Sequence, residues 1–179
     1  AYAGSTGYFN SEKNGWVDNA AAARSTGSLL KPFLFAAAID EGLMVPESLL
    51  VDIPTHFGSF SPANADLQFH GLVSMHQALI SSLNIPAVRT LQEYGLMKFW
   101  KLLRDAGVSS LFRHPDDYGL PLILGGAEVS LMEMTALFHG LGNYGNFTPL
   151  SLDPDPEEQE ENRLISEFAS YQILQVLKD

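Results

Sequence analysis

Between Ser28 and Ile39 the chain carries one charged residue, Lys31, among Leu29, Leu30, Phe33, Leu34, Phe35 and Ala36 to Ala38. A helix that is apolar on every side is buried. The segment therefore predicts a central core helix with an amine drawn into it. Desolvation disfavours the charged form of a lysine and lowers a pKa that starts near about 10.4. Ser28 lies three residues earlier, and positions i and i+3 share a helix face, so the Lys31 amine can reach the Ser28 oxygen. A hydroxyl beside an amine that gives up its proton near neutral pH is a nucleophile with its base. The alternative is that Lys31 runs its stem out to solvent and Ser28 merely starts the helix.

Downstream, Ser74-Met75-His76-Gln77 has the pattern of a capping box and opens a short helix through Ile80. Pro86 to Tyr94, followed by Gly95, reads as a second helix with proline in its first turn and a glycine stop. Ser82-Leu83-Asn84 falls at the corner between them, where Ser82 and Asn84 point the same way and Leu83 anchors inward. A hydroxyl that relays a proton and an amide that holds a peptide bond form the second element of a serine acyl-transfer site. Ser and Asn are also common turn residues, which is the plainer reading of the same corner.

Ser28-Leu29-Leu30-Lys31-Pro32-Phe33 followed by Ser82-Leu83-Asn84-Ile85-Pro86-Ala87-Val88 resembles the transpeptidase domain of the class A penicillin-binding proteins. Arg24-Ser25-Thr26-Gly27 and Leu122-Ile123-Leu124-Gly125-Gly126-Ala127-Glu128-Val129-Ser130 extend the resemblance over essentially the whole chain. It implies an α+β transpeptidase and β-lactamase-like fold, of which residues 1–179 cover mainly the helical part with most of the central sheet missing. It implies further that Ser28 attacks the carbonyl of a D-alanyl-D-alanine stem peptide and that Lys31 accepts its proton. By the same resemblance Ser82 would pass a proton to the departing D-alanine and Asn84 would orient the substrate amide, while the Ser28 N–H, at a helix N-terminus, would form half of an oxyanion hole. No metal or cofactor belongs to this chemistry. The implied partners are peptidoglycan stem peptides and β-lactams, in a membrane-anchored parent with a glycosyltransferase domain on the periplasmic face of the bacterial inner membrane.

Two departures stand out. Thr26 occupies a position that is often proline in the family, and the third family motif, Lys-Thr-Gly on an edge strand, is absent. Lys13-Asn14-Gly15 precedes the serine in a turn-like stretch and reads as a loop. The expectation is a partial domain that stops before the Lys-Thr-Gly strand, and whose opening Ala1-Tyr2-Ala3-Gly4 is the end of a strand. A β-lactamase or D,D-carboxypeptidase shares the serine and the lysine. A non-catalytic binding module of the same fold is the rival from a different class.

At 179 residues and 46% hydrophobic content there is chain for one core and not for two ordinary domains. No apolar run is long enough to span a bilayer and no signal peptide is present. With ten Lys and Arg and a net charge of −11, the chain lacks the basic clusters that nucleic acid requires. The run Asp153 to Glu161 holds six carboxylates and no basic residue, which predicts a solvated loop. The five histidines have no zinc-ligand spacing. Helices are expected over Met97 to Ala106, from Ser130 to about Leu141, and over Ile165 to Leu177, the last with Ile165, Phe168, Ala169, Ile173 and Val176 inward. Pro46 to Leu72 and Gly107 to Gly126 read as long connections that wall a cleft.

Overall fold

The segment that must be buried is buried: Lys31–Asp40 forms helix α1, and every residue from Lys31 to Ile39 is inside. The structure, a computed structural model, describes residues 2–5, 7–151 and 161–179. The helix starts at Lys31 and not at Ser28, because Pro32 has no N–H and is favoured in the first turn. Thr26 to Lys31 instead form a tight turn, with Leu29 N–H donating to Thr26 O at 3.0 Å and Lys31 N–H to Ser28 O at 3.1 Å.

After α1 come the short helix α2 (Met75–Ile80), then α3 (Asn84–Tyr94) and α4 (Leu96–Asp105). A single turn, α5 (Pro115–Tyr118), precedes α6 (Leu131–Gly142) and α7 (Glu167–Val176). α1 packs against α3 and α7, and α3 in turn packs on α4 and on the 3-10 turn Leu120–Leu124. The core thus gathers Val88, Leu91, Phe99, Leu122 and Ile173 around Phe33, Phe35 and the rest of α1. Each side chain of this size contributes roughly 1.5–3 kcal/mol on full burial.

Two small antiparallel sheets complete the fold, in keeping with a partial α+β domain. β1 (Arg24–Ser25) pairs with β4 (Glu128–Val129), Arg24 opposite Val129 and Ser25 opposite Glu128. β2 (Leu49–Asp52) pairs with β3 (Gly71–Ser74), Leu49 opposite Ser74 and Asp52 opposite Gly71. The connection expected over Pro46 to Leu72 is therefore a long hairpin that holds a tip at Phe57 and Phe60. Its strands escape a reading by alternation because Leu49, Leu50, Val51 and Leu72, Val73 are continuous apolar runs.

Other boundaries shift by a residue or two. Ser74 accepts from Gln77 N–H as expected, but Gln77 Nε2 donates to Ser81 Oγ and does not return to the cap. The full reciprocal box forms at Ser130 and Glu133. On α7, Ala169, Ile173 and Val176 face inward as expected, while Phe168 is 59% exposed. Tyr2, Ala3 and Gly4 are in no strand. Residues 11–13 form a 3-10 turn ending on left-handed Asn14, which agrees with the loop reading of Lys13-Asn14-Gly15. The acidic run lies outside the described residues up to Glu160.

Candidate active site

Lys31 is 1% exposed and lies on the first turn of the central helix, so its amine has to find partners inside the protein. It finds them at the corner between α2 and α3. Nζ donates to Ser82 O at 2.6 Å and to Asn84 Oδ1 at 2.7 Å, and lies 3.2 Å from Ser82 Oγ. Burial pushes the amine down to about 8 from an ordinary 10.5.

The corner is built by the way α2 ends. Ser82 N–H donates to Leu79 O and Leu83 N–H to Ala78 O, which is a Schellman closure with Ser82 at the left-handed position. Ser82 has φ of 52°, a conformation that glycine normally supplies. That twist turns both the carbonyl and the hydroxyl of Ser82 toward Lys31. Leu83 follows as the buried anchor, 4% exposed, and Asn84 opens α3. Asn84 Nδ2 donates to Ala63 O at 2.7 Å, which leaves Oδ1 for the lysine.

Ser28 sits on the exposed turn one step before α1. Among the described residues no hydrogen bond joins its hydroxyl to Lys31, whose amine faces Ser82 and Asn84 instead. No described acceptor takes the Ser28 backbone N–H either, and the side chain is open to solvent. The turn is pinned from behind. Thr26 N–H donates to Ala127 O at 3.0 Å and Ser25 Oγ to Gly125 O at 2.8 Å, so the Leu122 to Ser130 run buttresses the serine. A Cβ on Gly125 would come within 2.6 Å of Ser25 Oγ and 3.1 Å of Gly27, so this close approach requires glycine.

Three of the four sequence-derived candidates thus meet directly, Lys31 with Ser82 and Asn84, and Ser28 adjoins them through the backbone. Thr26, standing where proline is frequent, is buried and its Oγ1 has no partner among the described residues. Sequence reasoning missed Asn64, whose Oδ1 accepts from Asn84 N–H at 2.8 Å. It stands in the hairpin between β2 and β3, within the stretch read as a long connection that walls a cleft, and no spacing rule marks it. Among the described residues no cluster of His, Cys, Asp or Glu could hold a metal ion, and no helix is long and apolar enough to cross a membrane.

Comparison with known proteins finds relatives along almost the whole chain. The family described as penicillin binding protein transpeptidase domain matches residues 1–178. Penicillin-binding protein 1C of Escherichia coli (strain K12) is 39% identical over 178 residues, covering 99% of this chain and 23% of its own length. Penicillin-binding protein 1F of Bacillus subtilis (strain 168) is 32% identical over 170 residues, covering 88% of this chain and 23% of its own length. Penicillin-binding protein 1A of Pseudomonas aeruginosa is 29% identical over 145 residues, 78% of this chain and 17% of its own. The chain spans about a quarter of the first two relatives. With the family match running almost end to end, the chain belongs to the penicillin-binding protein transpeptidase domain family.

Proposed function

We propose that this domain forms a serine acyl-enzyme with D-alanyl-D-alanine stem peptides and passes the acyl group to an amine, cross-linking peptidoglycan. The observation that carries the reading is the buried Lys31 amine, pushed down to about 8 and held between Ser82 and Asn84 beside an exposed serine turn. A neutral amine has two N–H groups and one lone pair. Ser82 O and Asn84 Oδ1 can only accept, so they occupy both hydrogens and leave the lone pair for the proton of a hydroxyl.

The steps follow from that assignment. Ser28 Oγ attacks the carbonyl carbon of the penultimate D-alanine while its proton moves to Lys31 Nζ. The oxyanion that develops is met by the unengaged Ser28 N–H. The C–N bond then breaks, and the proton travels from Nζ through Ser82 Oγ, 3.2 Å away, to the departing D-alanine amine. An acceptor amine attacks the resulting ester while its proton passes through Ser82 Oγ to Lys31 Nζ; the ester C–O bond then breaks, and Ser28 Oγ leaves with that proton from Nζ. A β-lactam presents a similar amide in a ring, so its leaving group stays attached and the acyl-enzyme persists.

The proposal extends to a longer parent chain, in which residues 1–179 are part of the transpeptidase domain and lie ahead of a strand bearing Lys-Thr-Gly. A glycosyltransferase domain and a membrane anchor at the periplasmic face complete it. Incubating the full-length protein with a pentapeptide substrate and a labelled amine acceptor tests the reading. Release of D-alanine with incorporation of the acceptor, both lost in Ser28→Ala, supports it. Release of D-alanine with water as the sole acceptor would make the protein a carboxypeptidase, and no release in either form would leave a binding module.

A further inference from the structure

α3 begins without a cap of its own. Its N-cap residue is Leu83, which has no side-chain oxygen, so the first N–H of the helix needs an acceptor from elsewhere. Asn64, twenty residues upstream, supplies it: Oδ1 accepts from Asn84 N–H at 2.8 Å. Its neighbour Ala63 accepts from the Asn84 side chain at 2.7 Å. The hairpin therefore grips Asn84 by backbone and carboxamide at once.

Asn64 is itself fixed. It is 3% exposed, and its Nδ2 donates to both oxygens of Asp52 at 2.9 Å and to Gln68 O at 2.9 Å. Asp52 is fully buried, and its Oδ2 also takes the His70 backbone N–H at 2.9 Å and His70 Nδ1 at 2.8 Å. A ring nitrogen facing a carboxylate at that distance carries the hydrogen. Turning the Asn64 amide over would set its oxygen against a carboxylate and its NH2 against an N–H, so the network admits one orientation. Aspartate at 64 would put two carboxylates together in the interior.

We propose that Asn64 is a positioning residue of this site, capping α3 in trans so that Asn84 stays against the Lys31 amine, with Asp52 and His70 as its support. It rests on the transpeptidase reading for its consequence in rate. A side chain buried to this degree and engaged at every amide hydrogen has no solvent role. Its one contact that leads anywhere is Asn84.

The test uses the full-length protein and benzylpenicillin. The maximal acylation rate and half-saturating concentration are measured beside hydrogen exchange of the Asn84 amide, resolved by mass spectrometry. Asn64→Ala is expected to lower the maximal rate at least tenfold per folded molecule, to change half-saturation less than threefold, and to speed Asn84 exchange at least tenfold. Because truncation in the interior can prevent folding, the isosteric Asn64→Asp is measured too. It is expected to lose rate by a similar factor and to recover most of it when combined with Asp52→Asn, which restores one donor between the two side chains. Wild-type exchange at Asn84, a wild-type maximal rate in Asn64→Ala, or no recovery in the double variant overturns the proposal. If the wild-type protein is not acylated at all, the transpeptidase reading falls, and Asn84 exchange alone decides the positioning role.

Discussion

In the proposed mechanism Lys31 is the base because its amine is buried, and this sets how the reaction would depend on pH. With the amine at about 8, the fraction able to take a proton rises roughly tenfold per pH unit below that value and levels off above it. Acylation by benzylpenicillin, followed from pH 6 to 9.5 at low concentration, should trace that single rise, and a flat profile would remove Lys31 as base. Stability follows with a definite sign. The unfolded chain keeps the lysine proton up to about 10.5 and the folded one releases it near 8, so the unfolded state binds more protons in between. That contribution grows as pH rises from about 8 to about 10.5 and is constant below. Denaturant titrations should show the rise in the native sequence and lose it in Lys31→Met. Ser82 makes a second residue-scale case. Its φ of 52° costs a non-glycine residue roughly 1 kcal/mol or more. Ser82→Gly should therefore be more stable than Ser82→Ala by about 1 kcal/mol while both acylate more slowly, which thermal melts and adduct kinetics together would check.

At the scale of elements, the capping box of α6 ties the helix to the loop after α4. Burial alone would raise the Glu133 carboxyl. The Ser110 hydroxyl, the Ser130 N–H, the Ser109 hydroxyl and the Ser110 N–H outweigh burial and hold it down at about 2. A lowered carboxyl contributes stability above about 4.5 that is lost as pH falls toward 2. Glu133→Gln should flatten the acid limb of the stability curve and cost about 2 kcal/mol near neutral pH, the size of charge-assisted hydrogen bonds lost together. Elements of this kind were legible in the sequence: Ser130 with Glu133, Ser74 with Gln77, Gly95 after Tyr94, and the all-apolar α1 follow from local rules. β2 and β3 were not, since their residues alternate with nothing and their pairing is set across a long hairpin. The Schellman twist at Ser82 was hidden because the position carries serine where the rule looks for glycine. Asn64 was hidden for a related reason, as a cap delivered from another segment leaves no mark near the helix it caps.

At the scale of the whole molecule, burial follows the reading of α1 as the core helix. α1 is covered through Ile39, as its all-apolar sequence requires, while Leu29, Phe168 and Tyr171 stand out in solvent. The serine turn and one face of α7 are two of the places where apolar side chains stay exposed, with Phe9, Leu67 and Phe112 standing out further still elsewhere. The sequence has no Lys-Thr-Gly, and the proposed strand bearing it would supply the second oxyanion donor. Loss of one such donor costs about a hundredfold or more in rate. The 179-residue chain by itself should accordingly acylate at least about a hundredfold more slowly than the full-length protein, by intact mass under the same penicillin; equal rates would make the third motif dispensable. The central claim, that Ser28 is the nucleophile of this site, is met most directly by mapping the adduct. Full-length protein is incubated with benzylpenicillin, digested, and the modified peptide is sequenced by mass spectrometry beside Ser28→Ala. The account predicts one penicilloyl group on Ser28, absent from the variant; a penicilloyl group on any other residue, or undiminished labelling of Ser28→Ala, would contradict it.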